Sequence, residues 1–475
     1  MKILYAASEA APYVKSGGLG DVAEALPAAL AKEKDVEVSV FLPYYKSIKD
    51  NPDIRLQFVK NFSVNVAWRT EYVGVFKAVS RSKKLSYYFI DNEHYFYRDG
   101  IYGHYDDGER FTFFSLAILE AMRQLDYFPD ILHCNDWQTA LIPVLKKALY
   151  NGVYDNVRTV FTIHNIEYQG KMPNEFLNDV IGVDEYYRNV LTYNNCINFM
   201  KSAIVMADKV TTVSKTYSHE IRHAYFAHGL ENILRENGYK LAGIVNGINT
   251  DLYNPKKDPL IFANYTASDL AGKAENKAQL QKMLGLPVVP DVPMVAMISR
   301  LVSHKGLELV EYVMDDLMKR NLQFVVIGTG DAKYEDMFKF HAYIHSDKMS
   351  ANITFNPQLA NKLYAAADMF LMPSKSEPCG LSQLIAMRYG TVPIVRETGG
   401  LVDTVEPLNV ETLEGKGFTF KGYNAHDMLG AIDRSIDFYS NREMWDKHIK
   451  NLIKYNSGWK NSVIEYLNLY NELTK

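Results

Sequence analysis

The sequence predicts an α/β protein of two successive halves, each built on a parallel sheet, and three observations support this. Short apolar runs alternate with helix-length amphipathic segments. The alternation restarts after a turn-rich stretch, NGINTDLYNP at 246–255. At 475 residues the chain is also too long for one compact core. Strand–helix alternation of this kind implies parallel sheets covered on both faces.

In the first half the runs KILYAAS (2–8), VEVSVFLP (36–43), LSYYFID (85–91), DILHCND (130–136) and RTVFTIHN (158–165) are expected as buried strands. GDVAEALPAALAKEK (20–34) and RFTFFSLAILEAMRQL (110–125) carry helical patterns between them. The stretch 54–90 differs, its strands following one another through short turns, which suggests an antiparallel insertion or edge. In the second half the expected strands are VPMVAMISR (292–300), LQFVVIGTG (322–330), ANITFN (351–356), DMFLMPS (368–374) and TVPIVRE (391–397). Residues 457–475 have helical spacing and no following strand. The expected domains are therefore 1–247, 248–456 and a closing helix, 457–475, packed back on the first domain.

Hydrophobic residues make up 47% and charged residues 23% of the chain, the balance of a globular protein. With a net charge of −4 and no long run of Lys and Arg, nothing argues for a nucleic-acid or anionic-membrane partner. Cys134, Cys196 and Cys379 are scattered, which suits a reducing compartment and gives no structural zinc pattern. The start of the chain has the character of a buried strand rather than a leader, and no apolar stretch approaches the roughly 18 residues of a membrane span. A soluble, cytoplasmic protein is expected, a mature plastid protein being the alternative. The 33 tyrosines against 4 tryptophans are as compatible with core filling as with a sugar-stacking surface.

Six segments carry candidate chemistry. Lys15-Ser16-Gly17-Gly18-Leu19-Gly20-Asp21-Val22 is echoed by Glu397-Thr398-Gly399-Gly400-Leu401-Val402-Asp403-Thr404-Val405. One Gly-Gly turn before a helix is a tight connection; two copies, one per half, suggest two phosphate-facing loops. Arg300 and Lys305 follow the first strand of the second half, where open α/β sheets bind ligands. They are either a diphosphate pair, fork plus point charge, or two solvated cations. Pro373-Ser374-Lys375-Ser376-Glu377-Pro378-Cys379-Gly380-Leu381-Ser382-Gln383 leads into a helix whose free amides favour phosphate. Glu377 there suits sugar hydroxyls, a developing cation or a helix cap. His164 and Asp136 each end a strand of the first half and are placed to share one wall. No HxxxH, HExxH, DxD-like or cysteine pattern is read as a convincing metal site, and no GxS elbow is present.

Together these motifs resemble the bacterial glycogen synthase and plant starch synthase family. The resemblance covers nearly the whole chain: KSGGLGDV, YFYRDGIYGHYDDGERFTFFSLAILE, HCNDWQTA, TIHNIEYQG, GIVNGIN, SRLVSHKG, PSKSEPCGLSQLIAMRYG and ETGGLVDTV occur in the family's order and spacing. It implies the GT-B fold, two Rossmann-like domains facing across a deep cleft. It also implies transfer of glucose from ADP-glucose, or another nucleotide-diphosphate glucose, to the non-reducing end of an α-1,4-glucan with retained configuration, without cofactor or metal.

By motif match, Lys15, Gly18, Arg300 and Lys305 would meet the diphosphate, with amides around Cys379, Gly380 and Leu381 and the Gly399-Gly400 turn. Asp21 and Asn246 would lie near the nucleoside and Phe355 at the adenine-stacking position. His164, Asp136 and Glu377 would surround the glucose, and Tyr95 and Tyr97 are candidates for the acceptor surface. Ser16, His304 and Asn249 stand where the family usually has Thr, Gln and Asp. Ile385 occupies the position of a second Glu found in related transferases. A UDP-sugar transferase and a silent glucan-binding paralogue are the competing readings, and the paralogue would be expected to have lost Lys15, His164, Arg300, Lys305 or Glu377.

Overall fold

The computed structural model describes residues 1–79 and 83–475. The chain divides into two units, Met1–Asn246 together with Trp459–Lys475, and Gly247–Gly458.

In unit 1 the strands are β1 (Lys2–Ala6), β2 (Glu37–Pro43), β3 (Leu56–Val66), β4 (Arg69–Ala78), β5 (Leu85–Asp91), β6 (Ile131–Asn135), β7 (Arg158–Ile163), β8 (Lys171–Met172), β9 (Thr192–Tyr193), β10 (Cys196–Asn198), β11 (Lys209–Thr212) and β12 (Leu241–Gly243). Nine of them form one sheet in the order β12-β11-β7-β6-β1-β2-β5-β4-β3, and β8-β10-β9 make a small second one. β1 is central because Ile3, Leu4, Tyr5 and Ala6 are all fully buried, as a strand covered on both faces must be. Leu4 pairs with Ser39 on one side and Leu132 on the other, both in parallel register.

The stretch 54–90 supplies the edge. β4 runs antiparallel to both β3 and β5, with a register shift between Phe58 and Lys60 that breaks the outer ladder, a common protection for an exposed edge. Residues 80–82 of that stretch lie outside the described residues. The helix Asp107–Gln124 is apolar around most of its girth and accordingly buried, Phe111 to Met122 without a break. The closing helix, Lys460–Thr474, adds Val463, Tyr466, Leu469 and Tyr470 to the core of unit 1. There the Tyr470 hydroxyl meets Nδ1 of the fully buried His133 at 2.7 Å.

In unit 2, β13 (Met294–Ile298), β14 (Gln323–Ile327), β15 (Met349–Asn352), β16 (Met369–Met372), β17 (Val392–Arg396) and β18 (Phe418–Phe420) form one sheet in the order β15-β14-β13-β16-β17-β18, every pair parallel. Counted from β13 this is the doubly wound order 3-2-1-4-5-6. The winding reverses between β13 and β16. In unit 1 the corresponding reversal lies between β1 and β6. Crossover helices leave in opposite directions there, opening a crevice at the strands' carboxyl ends, and these two reversals position the candidate chemistry.

Candidate active site

In unit 2 the loops on either side of the reversal hold Lys305 and Glu377. Lys305 Nζ donates to Glu377 Oε2 at 2.7 Å, and the Ser374 hydroxyl donates to the same oxygen at 2.9 Å. Glu377 is 6% exposed, so its charge depends on these donors. The two loops are also tied through backbone, Lys375 N–H to His304 O at 2.9 Å. Gly306 lets them approach: its φ is +74°, and a Cβ there would strike the Pro373 carbonyl oxygen. Arg300 is exposed on the β13 side, and among the described residues no carboxylate pairs with it.

Beyond Glu377 the chain turns through Cys379, which is buried, and Gly380, at φ +73°, into the helix Ser382–Arg388. No group among the described residues accepts the N–H of Gly380 or Leu381. Sequence reasoning missed the residue that shapes this turn. Buried Gln383 donates through Nε2 to the carbonyls of Cys379 (3.0 Å) and Gly380 (2.9 Å) and to Thr404 Oγ1 (3.0 Å). The Gly399-Gly400 turn packs against the same segment, Gly400 N–H donating to the Glu377 carbonyl at 3.0 Å. A Cβ on Gly400 would overlap the Cys379 backbone. Phe355 lies past the end of β15, which stops at Asn352 rather than reaching 356 as expected, and its ring is 72% exposed.

In unit 1, Asp136 follows β6 with φ +55°, rare for a residue with a side chain. It is held by its own hydrogen bonds. Asp136 N–H donates to the Thr162 carbonyl, and Oδ1 accepts from the amides of His164 (2.7 Å) and Asn165 (3.3 Å). Burial, with a smaller contribution from the charge of Glu9, raises its carboxyl to about 7 against these amides. Burial holds the His164 imidazole down at about 3, so the ring is neutral. Asn135 fixes its tautomer: its amide nitrogen donates to the Ala6 carbonyl (3.0 Å), turning Oδ1 towards His164 Nε2 at 2.9 Å. His164 Nε2 therefore carries the proton and Nδ1 is an acceptor.

The loop at 15–21 opens the helix Gly18–Leu30, and Lys15 Nζ donates to Asp21 Oδ1 at 2.6 Å. Glu9, 3% exposed, fixes this loop by accepting from the amides of Ser16 and Gly17. Nothing in the sequence singles out Glu9 beyond its place after a buried strand. The echo at 397–405 opens only the five-residue helix Gly400–Thr404. Asn246 is 6% exposed, with no partner for Oδ1 among the described residues.

Two expectations need correction. Tyr95 is fully buried and its hydroxyl donates to Glu109 at 2.6 Å, so it offers no ring face to a sugar. Tyr97 remains 43% exposed. The metal reading also overlooked two patterns. HEIRH at 219–223 has the letters of HExxH, but its helix stops at Glu220 and His223 is extended, so the two imidazoles do not share a helix face. HAYIH at 341–345 is an HxxxH, and His341 and His345 join Asp315 with ligand atoms within 4.8 Å of one another.

Residues 2–236 match the starch synthase catalytic domain and residues 285–452 match glycosyl transferases group 1. A glycogen synthase from Clostridium botulinum is 48% identical over 100% of both chains. The chain belongs to the glycogen synthase family. A glycogen synthase from Streptococcus mutans is also 48% identical over 100% of both chains. The catalytic domain of starch synthase IV from Arabidopsis thaliana, solved bound to ADP and acarbose, is 34% identical, with a TM-score of 0.92 over 99% of each chain. Membership makes the chain a glycosyltransferase with the GT-B fold of two Rossmann-like units. Among the described residues no helix is long and apolar enough to cross a membrane.

Proposed function

We propose that this enzyme transfers glucose from ADP-glucose to the non-reducing end of an α-1,4-glucan with retention of configuration. The single observation that carries the reading is the Lys305–Glu377 pair at the sheet reversal of unit 2, beside the two unclaimed amides of Gly380 and Leu381. Breaking a glycosyl–phosphate bond builds negative charge on the leaving diphosphate and positive charge on the sugar ring. Arg300, Lys305 and the amides answer the first, and Glu377 the second. The full-length likeness to glycogen synthases, and to a starch synthase solved with ADP, supports glucose, glucan and an adenine nucleotide. The bacterial relatives fit a cytoplasmic enzyme.

In unit 1, Lys15 and the Gly18 amide are assigned to the diphosphate, Asp21 and Asn246 to the nucleoside side, and Phe355 of unit 2 to the adenine. His164 and Asp136 are assigned to the glucose, the neutral imidazole accepting a sugar hydroxyl through Nδ1. As the C1–O bond to phosphate breaks, the acceptor hydroxyl attacks from the same face. Its proton passes to the departing phosphate oxygen, so no carboxylate nucleophile is required. A trapped covalent glucosyl–enzyme would overturn this route.

The whole reading is tested by incubation with ADP-glucose or UDP-glucose and maltooligosaccharides, following product length and digestion by an exo-acting α-1,4-glucanase. Extension from ADP-glucose into digestible chains is expected. Extension from UDP-glucose alone would move the donor assignment, and no extension from either would refute the function.

A further inference from the structure

We propose that Asp315, His341 and His345 form a binding site for one divalent transition-metal ion of the zinc class on the surface of unit 2. His341 lies in the helix Ala332–Ile344 and His345 caps its end, while Asp315 lies in the neighbouring helix Met314–Lys319. Residues four apart share one face of a helix only if the turn between them closes. Here it does: His345 N–H donates to the His341 carbonyl at 3.0 Å, and the His345 carbonyl accepts from the amides of Lys348 (2.9 Å) and Met349 (2.8 Å). The two rings stand parallel, 2° apart in plane with centroids at 6.3 Å.

Three further observations point to a cation rather than to a chance cluster. His341 Nδ1 and His345 Nε2 are buried with no hydrogen-bond partner among the described residues, an uncompensated cost that coordination removes. The carbonyl end of a thirteen-residue helix favours positive charge. Glu311, the other nearby carboxylate, is engaged by Lys333 at 3.0 Å, which leaves Asp315 as the oxygen ligand. Two imidazoles and one carboxylate suit zinc, cobalt, nickel or copper, whereas magnesium and calcium take oxygen ligands. Tetrahedral bonds of about 2.1 Å need ligand atoms roughly 3.4 Å apart. From within 4.8 Å, small rotations of partly exposed side chains suffice, with water completing the fourth position.

The site is separate from the candidate active site. Its helix starts at the loop after β14 and runs back antiparallel to the strands, toward their amino ends, placing His341 about 14 Å along the axis from Ala332. Bound metal would pin two crossover helices together and stabilise unit 2.

Calorimetric titration of metal-free, full-length protein with zinc tests this, together with thermal unfolding at a several-fold molar excess of zinc. Uptake of one equivalent and a higher midpoint are expected, with no uptake of magnesium. His341→Ala and His345→Ala should each weaken zinc by at least about 10-fold, while transfer activity without metal stays at wild type. Asp315→Asn, a change of near-identical shape on the other helix, should weaken it without altering the metal-free melting curve. No saturable uptake, or unchanged affinity in the His341→Ala/His345→Ala double variant, would overturn the site.

Discussion

Lys305 and Glu377 compensate each other's burial, so either one alone is left as a charge with too few partners. Single truncations are therefore expected to cost stability as well as turnover, and turnover is to be read on protein shown to be folded. Glu377→Ala and Lys305→Ala should each lower kcat by at least about 10²-fold, the scale of one lost transition-state contact. Glu377→Gln, which keeps an acceptor for the Ser374 hydroxyl but not the charge, should fall between them and wild type. Steady-state kinetics with donor and glucan decide the matter, and near-normal turnover in both alanine variants would remove the pair from the mechanism. These two residues stand out in the sequence as charged side chains in loops just after strands, where a solvated cation or a helix cap would look the same, and the family resemblance is what separates these readings. Glu9 and Gln383 do not stand out, since their importance lies in which backbone groups they reach, and only the folded loop brings those groups together.

At the scale of elements, the turn from Cys379 to Ser382 is held open by one side chain. Gln383→Ala removes the contacts to two of its carbonyls, worth about 1 kcal/mol each, together with the tie to Thr404. The amides of Gly380 and Leu381 would then lose their fixed direction. The donor KM is expected to rise several-fold with a smaller change in kcat, and a variant with unchanged donor KM would show that the turn holds its own shape. The closing helix offers a parallel test in unit 1. Tyr470→Phe leaves the ring in the core but strips His133 Nδ1 of its partner, at a cost of about 1–2 kcal/mol by denaturant unfolding.

The central strands of the two large sheets are legible to within a few residues, because a strand buried on two faces must be an apolar run, whereas the short strands β11, β12 and β18 toward the sheet edges are not among those expected. Where burial is carried by other chemistry the sequence misleads. The helix Ala271–Met283, AGKAENKAQLQKM, has the composition of an exposed helix yet buries Lys273 and Lys277. Their ammonium groups are spent on the carbonyls of Ala367 (2.8 Å) and Val292 (2.6 Å) and on Asp368 (2.7 Å).

For the molecule as a whole, the buried titratable groups of unit 1 set an acid limit on stability. His133 and His164 are held neutral by burial, each at about 3 against an ordinary 6.5. Each therefore contributes stability that is present above 6.5 and is lost as the pH falls, because the unfolded chain takes up a proton that the native ring refuses. Asp136 acts in the opposite sense: raised to about 7, it binds a proton in the native state that the unfolded carboxyl releases. As the pH falls from about 6.5 to 5, unfolding takes up a growing share of two protons at the imidazoles and releases one at the carboxyl. The net uptake approaches one proton only near pH 5, where stability falls by up to roughly 1.4 kcal/mol per pH unit on acidification. Glu9 and Asp21, also raised by burial, act in the same sense as Asp136 and oppose the imidazoles. His133 is the group to change, since it lies off the proposed chemistry, between Tyr470 and the Thr162 hydroxyl at 2.6 Å. In His133→Asn the absolute stability should fall, because that network is cut. The distinguishing readout is the slope of unfolding free energy against pH, which should drop by up to about one proton's worth in that window, towards zero. A variant that is less stable but keeps the wild-type slope would mean that His133 titrates normally in the folded protein, and within unit 1 the acid limit would then rest on His164.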